Sequence, residues 1–146
     1  MRYVLSLIVV TVTVAVVNSP IAHAEQSADV EAVRQANETY LETVGARDLS
    51  GWRQDDYVRA IHPFRPIDVG WDAVRDGLIA LFELFPEMFS GMPTPLVHVV
   101  GNIAWVTSEE AFRGVKPSGE VVEGTLRTTR IFDKTDSGWM LVLHQV

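Results

Sequence analysis

The sequence predicts an α+β domain in which three N-terminal helices cover one face of an antiparallel sheet. Two observations carry this reading. Up to Phe85 the apolar residues recur mainly at three- and four-residue steps, the period of an amphipathic helix, whereas beyond Pro95 they recur at every second residue, the period of a strand. The second half is also cut by hairpin-type turns, and helices gathered before a run of hairpins leave the sheet one face to bury.

The elements follow in order. From Ala28 to Val44, Val30, Val33, Ala36, Tyr40, Leu41 and Val44 form one buried stripe, with Ser27 as a cap and Gly45 able to take the left-handed conformation that ends a helix. Asp48 to Trp52 reads as a short second helix with Leu49 and Trp52 facing inward. Tyr57 to Ile61 alternate and favour a strand that ends at Pro63. Gly70 to Phe85 returns to helical spacing through Val74, Leu78, Leu81, Phe82 and Phe85, and Pro86 stops it. Pro86 to Pro95, with three prolines and a glycine, predicts a connecting loop. Leu96 to Val100, Ile103 to Phe112, Val121 to Phe132 and Trp139 to Val146 then read as four strands. Gly101-Asn102, Lys116 to Gly119 and Asp133 to Gly138 supply the turns between them.

Residues 1–24 differ from the rest. Arg2 gives a short positive region, Val4 to Val17 an apolar run of 14 residues, and Ala22-His23-Ala24 places small residues three and one before a cut ahead of Glu25. That run falls short of the roughly 20 residues a membrane-spanning helix needs, so it reads as a secretory signal peptide, leaving one domain over residues 25–146. The expected location is a periplasm or the outside of the cell, with no membrane attachment once the leader is removed.

Removing the leader takes away Arg2 alone among the charged side chains, leaving 11 basic against 19 acidic and a net charge of −8. Such a chain lacks the basic face that phosphate binding requires, so nucleic acid is excluded as an expected partner. The chain has no cysteine, which rules out disulfides, thiol nucleophiles and cysteine metal sites. Asn37-Glu38-Thr39 fits a glycosylation pattern but falls inside a predicted helix, and is read as chance.

Three stretches carry a family resemblance: Ala46-Arg47-Asp48-Leu49-Ser50-Gly51-Trp52 after the first helix; Val69-Gly70-Trp71-Asp72-Ala73-Val74-Arg75 at the start of the later one; and Thr129-Arg130-Ile131-Phe132, then Gly138-Trp139, then His144 at the end. In this order and spacing the chain resembles the SnoaL-like branch of the nuclear transport factor 2-like superfamily, from about Val30 to His144. The resemblance implies a cystatin-like cone of three helices on a curved antiparallel sheet. It leaves the activity open, because that scaffold hosts isomerases, dehydratases, cyclases, hydrolases and plain binding modules. It also implies pairing of two copies through the exposed sheet face. In the related ketosteroid isomerases a helix-one tyrosine donates to the substrate oxygen and an aspartate before a proline moves the proton. Tyr40 matches the first, and His62, as His-Pro, stands at the second. The second oxygen-stabilising acid would fall near Thr128, which has no carboxyl group and so argues against steroid isomerisation.

His62 is the expected acid or base, since an imidazole titrates near neutral pH; its structural alternative is a strand-end histidine bonded to backbone or water. Tyr40 is either a donor to a ligand or a core aromatic bonded to a carbonyl. Trp52, Phe82, Phe85 and Trp105 are the expected apolar wall. Arg130 and His144, on the last two strands, share a face if the register allows it, and converging with an acid such as Glu109 they would orient a carbonyl or carboxylate; the alternative places Arg130 exposed, and His98 is a further candidate. No metal is expected, because the histidines of the mature chain are 36 and 46 residues apart with no closely spaced ligand pair. Asp55-Asp56 reads as solvated charge. No GxSxG elbow, phosphate-binding loop or dinucleotide fingerprint occurs, so no cofactor is expected. The sequence thus leaves two functions: a cofactor-independent isomerase, dehydratase or hydrolase acting on a small, largely apolar molecule, or a non-catalytic binding or dimerisation module.

Overall fold

The computed structural model describes residues 20–63, 65–91 and 94–146; most of the predicted leader, residues 1–19, lies outside the described residues. Helix α1 (Pro20–Gly45) is followed by strands β1 (Arg59–Ile61) and β2 (Asp68–Val69), helix α2 (Trp71–Leu84), and strands β3 (Glu87–Gly91), β4 (Leu96–Val100), β5 (Ile103–Val115), β6 (Val121–Thr135) and β7 (Gly138–Gln145). Among the described residues one sheet runs β2-β1-β7-β6-β5-β3, and β4 pairs with the half of β5 that β3 leaves free. Helix α1 packs on β3, β4 and β7, and α2 on β1 and β2.

The expected second helix is absent among the described residues. Helix α1 closes instead in a Schellman arrangement: Asp48 N donates to Thr43 O at 2.7 Å and Arg47 N to Val44 O at 2.9 Å, with Arg47, not Gly45, in the left-handed conformation at φ 61°. Asp48 Oδ1 then accepts from Ser50 N at 2.8 Å, a side-chain turn that competes with helix formation. The segment is spent on seating Trp52, which is fully buried and bridges Leu141 in parallel. Burying an indole is worth on the order of 4–6 kcal/mol of transfer free energy, far more than one helical turn could contribute.

That bridge also explains why the sheet is mixed and not wholly antiparallel. Trp52 starts the chain running alongside β7 in the same direction, and β1 continues so, with Arg59, Ala60 and Ile61 opposite Leu143, His144 and Gln145. The stretch expected as a loop between Pro86 and Pro95 contains β3, whose Glu87 to Gly91 pair with Val115 to Ala111. The three hairpin turns fall where expected, with Gly101, Gly119 and Gly138 at positive φ.

Register decides which side chains face the helices. On β5 these are Ala104, Val106, Ser108, Glu110, Phe112 and Gly114; on β6, opposite them, Thr128, Arg130 and Phe132. On β7 a bulge between Ile131/Leu143 and Phe132/Leu141 adds Val142. Residues three apart on a regular strand face opposite sides, but the extra residue lets both Leu141 and His144 turn inward, opposite Phe132 and Arg130.

Candidate functional site

On α1, Val33, Asn37 and Tyr40 are buried at helical spacing, so the stripe that seats the helix carries two polar tips into the interior. The Tyr40 hydroxyl lies 2.7 Å from His144 Nδ1. The Arg130 guanidinium sits 5.1 Å from the centre of the Tyr40 ring and donates to Asn37 Oδ1 at 3.2 Å. Asn37 is fully buried, so the folded chain cannot carry a glycan there.

Arg130 also holds the Glu110 carboxylate with two bonds, 2.6 Å to Oε1 and 2.9 Å to Oε2. Both side chains are only 1% exposed. Glu110 accepts further bonds from Ser90 Oγ (2.9 Å), Ser108 Oγ (2.6 Å) and Thr128 Oγ1 (2.7 Å). Burial alone would raise the Glu110 pKa, but the hydrogen bonds and charge of Arg130, with the Ser108 and Thr128 bonds, hold it at about 2. A carboxyl group therefore does stand beside Thr128, supplied by the neighbouring strand, yet it is an ionised acceptor and cannot donate a proton.

Above this floor opens a cavity of about 560 Å³ between α1, α2 and the sheet. Leu41, Leu78, Leu81, Leu84, Phe85, Met88, Phe112, Val122 and Leu126 make most of its wall, and Tyr40, His62, Arg65, Ser90, Glu110, Arg130 and His144 gather the polar groups. His62 follows β1 directly. Because β1 runs parallel to β7, its ring comes within 5.8 Å of the His144 ring. Burial first, then the Arg65 charge, lowers the His62 pKa below its ordinary value, with Asp68 opposing. His144 is held well below that value by burial, then by Arg130 and His62, with Glu110 opposing. Tyr40 is pushed up to about 12 by burial, with Arg130 pulling it down and Glu110 pushing it up. At neutral pH the site thus holds a protonated phenol, two neutral imidazoles and one internally neutralised ion pair.

The structure brings together His62, Tyr40, Arg130, His144 and Phe85, and separates the other expected site residues from them. Trp52 lies behind Tyr40, edge-on at 6.2 Å, and Phe82 is core. His98 stacks on Trp105 at 5.3 Å on the opposite face of the sheet, because both occupy outward positions of β4 and β5. Glu109 also points outward and pairs with Arg127 at 3.4 Å, so the acid that meets Arg130 is its neighbour Glu110. Counting back from the Lys116–Glu120 turn would have found it, since that hairpin sets Ser108 opposite Thr128 and so puts even-numbered residues of both strands on one face. Asn37 and Ser90 carry no such signal. Among the described residues no three of His, Asp or Glu gather closely enough to hold a metal ion.

A mixed sheet roofed by helices, with an apolar chamber ending in a buried polar cluster, defines a cavity-bearing α+β domain of the nuclear transport factor 2-like type. Residues 33–146 match the SnoaL-like domain, and the chain belongs to that family. No curated protein matches it. Among solved structures, one named as a candidate dehydratase of the NTF2-like family from Streptomyces avermitilis is similar at 23% identity and TM-score 0.73, over 82% of this chain and 95% of that one. An NTF2-like protein with a cystatin-like fold from Novosphingobium aromaticivorans is similar at 15% identity and TM-score 0.67, over 88% and 89%. One named as a candidate calcium/calmodulin-dependent protein kinase type II association domain, from Thiobacillus denitrificans, is similar at 21% identity and TM-score 0.63, over 75% and 89%. At these identities the likeness is one of fold.

Proposed function

We propose that this SnoaL-like domain binds a small, largely apolar molecule in the cavity and acts on it as a cofactor-independent isomerase, dehydratase or hydrolase. The single observation that carries this reading is a cavity of about 560 Å³ whose wall is apolar and whose polar groups meet around His62 and His144. A neutral imidazole at a cavity wall can accept a proton from a bound molecule and return it elsewhere on the same molecule. His62 is assigned that transfer; Tyr40, bonded to His144, supports the polar end instead of donating to the ligand directly. The dehydratase name borne by the Streptomyces avermitilis protein is consistent with this class of chemistry. His62→Ala is expected to abolish turnover of any substrate found while leaving Tm within a few degrees. Turnover that survives the substitution removes His62 from the reaction.

A second reading is supported by the outer face of the sheet. Leu96 and Val100 are 64% and 65% exposed, and Ile103 and Trp105 are also exposed beside them. A domain that pairs through this face would be a homodimeric binding module, and the association-domain name of the Thiobacillus denitrificans protein fits that alternative. Light scattering of the purified chain decides the subunit count. Export rests on the sequence of residues 1–24, and is tested by N-terminal sequencing of the protein recovered outside the cytoplasm, with Glu25 the expected first residue.

A further inference from the structure

Besides Arg130, a second arginine lines the cavity, and it is mounted differently. Arg65, in the segment that follows His62, has a side chain 35% exposed. Its Nη2 donates to Asp68 Oδ1 at 2.8 Å, and its Nη1 makes a long bond of 3.4 Å to Gly77 O of α2. Gly77 is buried in the interior of that helix, where glycine is the poorest helix former after proline. The ion pair explains its presence: a Cβ there would fall 2.5 Å from Asp68 Oδ2 and 2.7 Å from Arg65 Nη2. The space left by the missing side chain is the seat on which the pair rests. Leu81 and Leu84, four and seven residues on, continue the same helical face along the cavity wall, so the guanidinium stands at one end of an apolar strip.

A guanidinium carries five N–H donors, and Arg65 spends two of them, on Asp68 and Gly77; the others have no partner among the described residues. Arg130, by contrast, is 1% exposed and committed to Glu110 and Asn37. The Arg65 charge also reaches His62, whose pKa is lowered by burial first and then by this guanidinium. Resting on the cavity-binding reading above, we propose that Arg65 takes the carboxylate of an otherwise apolar acid whose body lies along Leu81 and Leu84 near His62. Asp68 holds the guanidinium through one oxygen only, which orients the fork without filling it, and a planar fork with spare donors matches a carboxylate. The Asp68 charge beside it disfavours a doubly charged phosphate. Arg65 is then a specificity-determining residue, and Asp68 and Gly77 position it.

The test is titration calorimetry of the purified chain at pH 7.5 and low salt with three probes: 2-naphthoate, its uncharged counterpart 2-naphthamide, and 2-naphthyl phosphate. The expected result is binding of 2-naphthoate about tenfold or more tighter than 2-naphthamide, with the phosphate weaker than the carboxylate. Arg65→Gln should bring 2-naphthoate down to the level of 2-naphthamide and leave 2-naphthamide unchanged. Gly77→Ala favours the helix but fills the seat, so it should cut the preference severalfold, and it decides the matter should Arg65→Gln fail to fold. Equal binding of 2-naphthoate and 2-naphthamide overturns carboxylate recognition but leaves the apolar cavity standing as a binding site. A preference that survives in both variants, or one for the phosphate, overturns it as well. If none of the three binds, the cavity-binding reading fails and this inference falls with it.

Discussion

Glu110 and Arg130 are a buried ion pair whose cost is met by geometry: two guanidinium bonds plus three hydroxyl donors satisfy the carboxylate. Removing one partner leaves the other charge unpaired in the interior, which costs about 3–5 kcal/mol, whereas replacing both with apolar residues is often nearly neutral. Glu110→Gln is therefore expected to lower the unfolding free energy obtained from urea titration by that amount, and Glu110→Leu combined with Arg130→Met to recover most of it. A double variant no better than the single one would show that the polar floor is required for folding in its own right. The histidines set a pH dependence. With a folded pKa below the ordinary 6.5, His144 takes up its proton in the unfolded chain first as the pH drops. Its contribution to stability is thus fully present above about pH 6.5 and is lost below it, at up to about 1.4 kcal/mol per pH unit. The Glu110 contribution goes lower, between its ordinary 4.5 and about 2. Tm is expected to be level from pH 7 to 8 and to fall from pH 6.5 to 5, and His144→Gln should flatten that fall. A Tm that rises on acidification to pH 5 contradicts the neutral imidazole.

Among the elements, β5 is the one whose spacing leaves room for the cavity. Gly114 faces inward against Phe85, the residue just past α2, where a methyl group would fall 2.5 Å from Phe85 Cδ1 and 2.9 Å from Phe112 Cζ. These rings meet edge to face at 5.5 Å, and both line the chamber. Gly114→Ala is expected to cost about 1–3 kcal/mol by overpacking and to push Phe85 into the cavity, weakening binding of any ligand found there. Calorimetric unfolding together with the ligand titration checks both effects. The β7 bulge acts in the same way on the polar end: without Val142 the strand could not turn Leu141 into the core and His144 into the site at once.

At the scale of the whole molecule the sheet has two unlike faces. The inner one is covered by helices and holds the site; the outer one exposes Leu96, Val100, Ile103 and Trp105 around the His98–Trp105 stack. If two copies pair there, Trp105→Lys places a charge in the centre of the interface, and the expected outcome is a shift from dimer to monomer in light scattering with little change in the far-ultraviolet circular dichroism. A wild-type chain that is already monomeric at high concentration rules out this role for the face. Neither substitution on the outer face nor its result bears on the cavity, so the two proposed functions are separable by experiment.

The sequence by itself determined the composition of the layers. The 3.6-residue stripe of α1, the change to period two after Pro95 and the glycines at the hairpin turns follow from local sterics and from which side chains must leave water. It also placed Tyr40 and His62 as candidates and put Arg130 and His144 on the last two strands, with their register left open. What it could not determine was anything set by partners distant in the chain. The segment around Asp48 has local helix signals, but burying Trp52 against Leu141 outweighs them and draws β1 in parallel to β7. That parallel pairing, with the Val142 bulge, brings His62 beside His144 and turns His144 toward Tyr40, 104 residues away. Tertiary structure alone decided this, because a strand's period fixes which residues share a face, while only the pairing between strands fixes which faces meet.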